Sequence, residues 1–252
     1  MVEVDRIMTE EFGIGAELMM ENAGLSLARF TVKACNINKK NSLVHVIAGS
    51  GNNGGGGLVA ARRLLAWGIP TAVFLPKGIS SLGSVPLAQA RRAIKIGIPI
   101  HGFLPPYIPD PQTPSVTLDC YIGYGFKSRK DSLSEEVFGY MKTCSNVISL
   151  DAPSGLDVTT GENYGQVYPN ITLTIAFVKS GLLKALPESI GDLYVCDIGI
   201  PIEVYSSKLK IEWKHPCRRS SLKKLSQAFQ NDSIAGVDTI HTSDGLFWEV
   251  KT

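Results

Sequence analysis

The chain has 252 residues, 44% of them hydrophobic and 19% charged, with a formal net charge of +2 and a mean hydropathy of +0.09. That is enough apolar material for a packed core, so global disorder is excluded, and the length fits one domain or one domain with an appendage. No apolar run reaches the ~18 residues of a membrane span, and the five cysteines (Cys35, Cys120, Cys144, Cys196, Cys217) contain no C-x-x-C pair, which removes support for zinc ribbons, thioredoxin-type redox and a disulfide framework.

The opening Met1-Val-Glu-Val-Asp5 carries acids where a secretory leader carries bases, so the expectation is a soluble, cytoplasmic protein with no membrane partner. From Ala16 to Cys35, Leu18, Met19, Ala23, Leu27, Phe30 and Ala34 recur at three- and four-residue spacing, which predicts a helix. Leu43 to Ala48 is a β-branched run ending in a glycine cluster, a buried strand. Helical spacing resumes from Leu58 to Trp67, stopping at Gly68 just before Pro70, and Thr71 to Leu75 is the next strand. Val85 to Ile96 is helical, Ile98 to Ile100 starts a strand, and Pro105 to Pro114 is loop. Ser115 to Asp119 is a strand, Ser132-Leu-Ser-Glu135 has capping-box spacing before a helix to about Thr143, and Val147 to Asp151 is a strand again. Ile171 to Val178 and Leu193 to Asp197 add two more strands.

Strands alternating with helices predict an α/β fold, a mostly parallel sheet with helices on both faces. Such sheets bind ligands beyond the carboxyl ends of their strands, the edge that holds Gly51, Asp119 and Asp151. After Pro201 the rhythm breaks, leaving a basic stretch, a helix from Ser221 to Phe229 and a hairpin turning at Ser243-Asp-Gly245. Residues 206–224 hold seven bases against the single acid Glu212, a net +6 that leaves 18 bases against 22 acids, or −4, for the rest. Residues 1–205 therefore read as one domain and residues 206–252 as a basic extension. Only Trp213 is available there for base stacking, so docking on the acidic body is expected over nucleic-acid binding.

Gly49-Ser-Gly51-Asn-Asn-Gly54 is a G-x-G-x-x-G placed after a strand and before a helix, where backbone N–H groups and the helix dipole can cradle a phosphate. A dinucleotide site also wants an acid at the end of the next strand, and here that strand ends Leu75-Pro-Lys77, which argues against an ordinary nicotinamide dehydrogenase. Two acids at strand ends, Asp119 and Asp151, either hold a cation, transfer protons, or cap the turns that follow them. Lys127, after the Gly123-Tyr-Gly-Phe126 turn, either meets a phosphate or substrate oxygen or joins Arg129 and Lys130 on a solvated loop.

Four motifs in order carry a resemblance: Met20-Glu-Asn-Ala-Gly24, Gly49-Ser-Gly-Asn-Asn-Gly-Gly55 running into Gly57-Leu-Val-Ala-Ala-Arg62, Asp119-Cys-Tyr-Ile-Gly123, and Asp151-Ala-Pro-Ser-Gly-Leu-Asp157. Together they resemble the NAD(P)H-hydrate epimerase (YjeF N-terminal domain-like) family over roughly residues 1 to 202, with Asp197-Ile-Gly-Ile-Pro201 similar to its closing segment. The resemblance implies a Rossmann-like three-layer α/β/α sandwich, usually a homodimer. It also implies an isomerase of nicotinamide metabolite repair, which interconverts the R and S forms of hydrated NADH or NADPH for a separate dehydratase. It places Asn52, Asn53, Gly54, Gly55 and Gly56 on the substrate, with Gly123, Tyr124, Gly125, Phe126, Lys127, Ser128, Arg129 and Asp151, and a potassium ion on Asn53, Asp119 and Ser154. Within that picture Asp151 is the acid–base group, with Lys127 positioning oxygen or stabilising charge. The family's loop usually reads Asn-Asn-Gly-Gly-Asp-Gly, and Gly56 stands where the acid belongs. The alternative reading is a catalytically weakened binding or scaffold protein of the same fold, RNA-associated as in the mRNA-decapping enhancers.

Overall fold

A computed structural model describes residues 2–35, 37, 42–102, 114–126, 131–201 and 203–208, and the backbone of 238–241 and 247–251. In chain order the elements are α1 (Val2–Glu10), α2 (Ala16–Ala34), β1 (Val44–Ala48), α3 (Asn52–Ala66), β2 (Thr71–Phe74), α4 (Ser84–Lys95), β3 (Ile100–His101), β4 (Val116–Cys120) and α5 (Ser132–Thr143). There follow β5 (Val147–Leu150), β6 (Ile171–Ile175), α6 (Ser180–Lys184), β7 (Asp192–Cys196), β8 (Asp238–His241) and β9 (Phe247–Lys251).

The strands pair in the order β3-β2-β1-β4-β5-β6-β7-β9-β8. From β3 to β7 every pairing is parallel, and β9 and β8 add an antiparallel hairpin at the β7 edge. β1, β4 and β5 are buried at every position, as strands covered on both faces must be. Alternation divides their side chains: Val44, Val46 and Ala48 join a core with Leu27, Leu58 and Leu64, while Ile47 joins a second core with Val137, Phe138 and Met141 of α5. The architecture is the expected α/β/α sandwich.

The strand order reverses between β1 and β4, which opens a crevice at their carboxyl ends. Ile47 pairs with Asp119, and Asp119 with Ser149, so the ends of three adjacent strands converge there.

Three expectations need correction. Helix α3 starts at Asn52, six residues before Leu58, because the glycines at 54 to 57 are packing positions inside the helix. A Cβ on Gly54 would lie 1.9 Å from the Gly49 carbonyl oxygen, and one on Gly24 of α2 would lie 2.6 Å from that of Gly56. The glycine run thus lets α2 and the β1 turn approach the α3 backbone. At α5 the cap is Asp131 (not Ser132), its carboxylate accepting the Ser134 N–H at 2.7 Å. Leu18, counted above in the apolar stripe of α2, is 56% exposed.

Helix α1 was missed entirely; Val4, Ile7 and Met8 bury one face of it in the core. The β8–β9 hairpin is present as expected, while its turn at Ser243 to Gly245, the helix at Ser221 to Phe229 and most of the Pro105 to Pro114 loop lie outside the described residues. Among the described residues no helix is long and apolar enough to cross a membrane.

Candidate active site

Asp151 follows β5 with φ at 68°, a left-handed conformation that costs a non-glycine residue of order 1–3 kcal/mol. The Ala152 N–H turns back onto the Leu150 carbonyl at 2.8 Å, closing a γ-turn with Asp151 at its apex. The end of β6 repeats the device: Ala176 has φ at 67°, and the Phe177 N–H reaches the Ile175 carbonyl at 2.8 Å. These paired turns bring Asp151 and Lys179 together. The Lys179 ammonium donates to Asp151 Oδ1, to Thr174 Oγ1 at 2.9 Å and to the Ile175 carbonyl at 2.8 Å. Asp151 is 1% exposed and Lys179 6%, and the ammonium also lies 5.5 Å from the centre of the Phe177 ring. Sequence reasoning missed Lys179, which after a predicted strand reads as an ordinary solvated lysine.

The other Asp151 oxygen, Oδ2, accepts the main-chain N–H of Tyr124 at 2.9 Å. A Cβ on Gly123 would fall 2.8 Å from that oxygen and 3.1 Å from Asn53 Cγ, so glycine here keeps Asp151 and Asn53 facing one narrow gap. Both polar atoms of the Asn53 side chain are buried and have no partner among the described residues. Buried amides are nearly always bonded, and an orphaned one marks a place for a ligand, an ion or water.

Asp119 is fully buried beneath this gap. It accepts from Ser149 Oγ and the Ser154 N–H, each at 2.8 Å, from Ser154 Oγ, and from the Tyr121 N–H at 3.3 Å. Burial pushes its carboxyl above the ordinary value, and the Ser154, Ser149 and Tyr121 bonds oppose that push. Ser154 Oγ in turn accepts the Ile122 N–H at 2.8 Å, tying the β4 loop to the β5 loop. The neighbouring Cys120 thiol is driven well above its ordinary pKa by burial and then by Asp119, which removes it as a nucleophile.

Above these groups a cavity of about 470 Å³, within the range of small-molecule sites, is lined by Ser50, Asn52, Asn53, Lys77, Tyr124 and Phe126 among others. Gly123 and Gly125 line it too. The N–H of Gly55 is bonded to Gly51, leaving the first turn of α3 at Asn52 to Gly54 to offer its amides at this edge. A smaller cavity of about 90 Å³ adjoins it, lined by Asn52, Asn53, Gly56 and Tyr124 and also by Asp5 of α1.

The structure therefore gathers Asn52, Asn53, Gly56, Gly123, Tyr124, Gly125, Phe126 and Asp151 at one place, with Asp119 and Ser154 directly below. Gly54 and Gly55 face inward, against Gly49 and Met20 respectively. Lys127, Ser128 and Arg129 lie outside the described residues. In the Met20 to Gly24 motif Glu21 binds Arg62, Arg63 and Gln89 and Asn22 holds the Ile198 carbonyl at 2.9 Å, while Met20 and Ala23 line the smaller cavity.

Comparison with known proteins agrees with this fold. The family described as YjeF-related protein N-terminus matches residues 16–181. A protein of Dehalogenimonas lykanthroporepellens named NAD(P)H-hydrate epimerase is 34% identical over 234 residues, 91% of this chain and 92% of that protein. One of the same name from Elusimicrobium minutum is 29% identical, with 82% and 96% covered. A bifunctional NAD(P)H-hydrate repair enzyme of Archaeoglobus fulgidus is 34% identical over 76% of this chain, which spans only 39% of its length. Among solved structures, that of yeast ynu0 superposes with a TM-score of 0.72 at 23% identity, covering 85% of this chain and 93% of the yeast chain. Matched by the family model over residues 16–181 and by a relative 34% identical over 91% of its length, this chain belongs to the YjeF-related N-terminal domain family.

Proposed function

We propose that the chain is an NAD(P)H-hydrate epimerase, interconverting the R and S configurations at C6 of the 6-hydroxy-tetrahydronicotinamide ring. The observation that carries this reading is the buried Asp151–Lys179 pair facing the unpartnered Asn53 amide at the cavity floor. A scaffold protein gains nothing from a desolvated ion pair and an orphaned amide, both of which cost stability. That weighs against the weakened-scaffold alternative, even with Gly56 in place of an acid.

Epimerisation requires the C6 hydroxyl to leave, or the ring to open, followed by addition to the other face. The departing oxygen needs a proton, and incoming water must lose one. Asp151 is the proposed proton-handling group, set by its γ-turn and held on Oδ1 by Lys179 and on Oδ2 by the N–H of Tyr124, a residue that lines both cavities. The amides at the start of α3 suit the pyrophosphate. Lys127 would position the substrate oxygen or stabilise its charge.

Asn53 Oδ1, the Asp119 carboxylate and Ser154 Oγ are the hard oxygens that would hold a potassium ion: the Asn53 amide is unpartnered among the described residues, and the carboxyl is buried with no basic side chain bonded to it. When bound, the ion supplies charge that keeps Asp119 ionised. Asn53, Asp119 and Ser154 would then fix the β4 and β5 loops against α3. The native state is proposed to be a cytoplasmic homodimer working with a separate dehydratase specific for the S form.

The test is incubation with R-hydrate plus an S-specific dehydratase. Recovery of the reduced cofactor's absorbance above the spontaneous rate is expected, and Asp151→Asn should remove it. No recovery with the wild-type chain, or an unchanged rate in Asp151→Asn, would sink the proposal.

A further inference from the structure

Asp5 stands on α1, which none of the recognised motifs touches. Its Oδ2 accepts the Tyr124 hydroxyl at 2.9 Å, while the main-chain N–H of that same Tyr124 donates to Asp151 Oδ2, also at 2.9 Å. One residue thus holds two carboxyl groups, one by its side chain and one by its backbone. Asp5 lines the smaller cavity together with Asn52, Asn53, Gly56, Tyr124 and Leu150. The two acids sit in contrasting surroundings. Asp151 is paired with a buried ammonium, whereas the hydrogen-bond partner of Asp5 among the described residues is a neutral phenol.

We infer that Asp5 is the second carboxyl group of the site, reaching in from the N-terminal helix to share the proton transfers with Asp151. Burial pushes the Asp5 carboxyl above its ordinary value, with the Tyr124 bond acting against that and the nearby Asp151 charge adding to it. Two carboxyl groups held by one residue, one paired with an ammonium and one with a phenol, can divide the roles of base and acid. The inference rests on the epimerase reading. In one direction, Asp5 gives its proton to the C6 oxygen, the C6–O bond breaks and water leaves, while the N1 lone pair forms an N1=C6 bond. Water then adds to the opposite face, the new C6–O bond returns that pair to N1, and the surplus proton passes to the Asp151 carboxylate. The reverse direction exchanges the roles, and solvent returns the proton between turnovers.

Asp5→Asn keeps the size of the side chain and an oxygen for Tyr124. It should lower kcat about 100-fold, the low end of general acid–base contributions, with KM within about twofold and the melting temperature nearly unchanged. Gly56 offers an independent wall of the same cavity, where a Cβ would meet only the tip of Leu150, 2.9 Å away. Asp5→Asn combined with Gly56→Asp should therefore recover kcat by about tenfold beyond whatever Gly56→Asp adds to the wild-type chain, a specific rescue that a packing role for Asp5 would not show. Asp5→Asn with at least half the wild-type kcat, a loss that merely follows its melting temperature, or no rescue in the double variant would each overturn the inference. An inactive wild-type chain would instead overturn the epimerase reading and take this one with it, so the two failures are told apart.

Discussion

The Lys179 ammonium turns all three of its donors inward, onto the Asp151 carboxylate, the Thr174 hydroxyl and the Ile175 carbonyl. None is left for a substrate, so Lys179 positions Asp151 and does not itself reach the cavity. Its removal leaves a carboxylate buried without its counter-charge, an error that costs about 3–5 kcal/mol. Lys179→Met should lower the urea midpoint by that much stability with little change in m, and should cut kcat more than it raises KM. Lys179→Arg should also fail, because a planar guanidinium cannot place three donors on these converging acceptors. Wild-type stability and kcat in Lys179→Met would contradict the assignment.

A cation on Asn53, Asp119 and Ser154 has a consequence that needs no turnover to observe. An ion that binds the folded chain alone raises its melting temperature with the logarithm of its concentration. Potassium chloride should therefore raise the midpoint above that in choline chloride at equal ionic strength. Asn53→Ala should abolish the difference, since it removes the unpartnered amide while leaving the Asp119 hydrogen bonds intact. Equal midpoints in the two salts would rule the ion out.

Gly56 lies in the second turn of α3, buried against Leu150. Gly56→Asp would need only the Leu150 side chain to swing aside, would relieve a mid-helix glycine, and would place a carboxylate in the smaller cavity near the helix N-terminus. An increase in kcat/KM of about fivefold, equivalent to ~1 kcal/mol of transition-state stabilisation, is expected. If the added charge instead repels the pyrophosphate, kcat/KM will stay level or fall, and steady-state kinetics on the hydrate will show it.

What the sequence discloses of this site follows from how each residue is placed. Asp119 and Asp151 end β-branched runs, so the sheet-edge rule finds them without coordinates. Asn52 and Asn53 lie inside the glycine fingerprint, and it is the family resemblance that marks them as site residues. Lys179 is hidden because its burial depends on a γ-turn at Ala176, and alanine carries no signal for a positive φ. Asp5 is hidden because α1 is only nine residues long, although Val4, Ile7 and Met8 do show helical spacing. The start of α3 is misread because glycine suggests a loop, whereas here its missing Cβ serves the close approach of Met20 and Gly24.

The extension after residue 205 yields the last prediction. β9 pairs antiparallel with β7 over Leu193 to Cys196, and β8 pairs outside it, so two strands of the extension complete the sheet edge. Just before it, Val204 and Tyr205 are buried in the main core, and the Tyr205 ring packs edge-on against Phe177, 6.4 Å away. Truncation after Ile202 removes all of this and leaves β7 with an unpaired edge, exposing a row of backbone groups to water or to other chains. The melting temperature should fall and aggregation should rise. Asp119 lies in β4, Asp151 directly follows β5 and Asn53 lies in α3, away from that edge, so epimerase activity measured well below the new midpoint should persist. The basic stretch predicts the competing outcome. RNA binding that weakens steeply with salt and vanishes on truncation, because phosphate contacts release counterions, would assign the extension to a partner instead of the sheet.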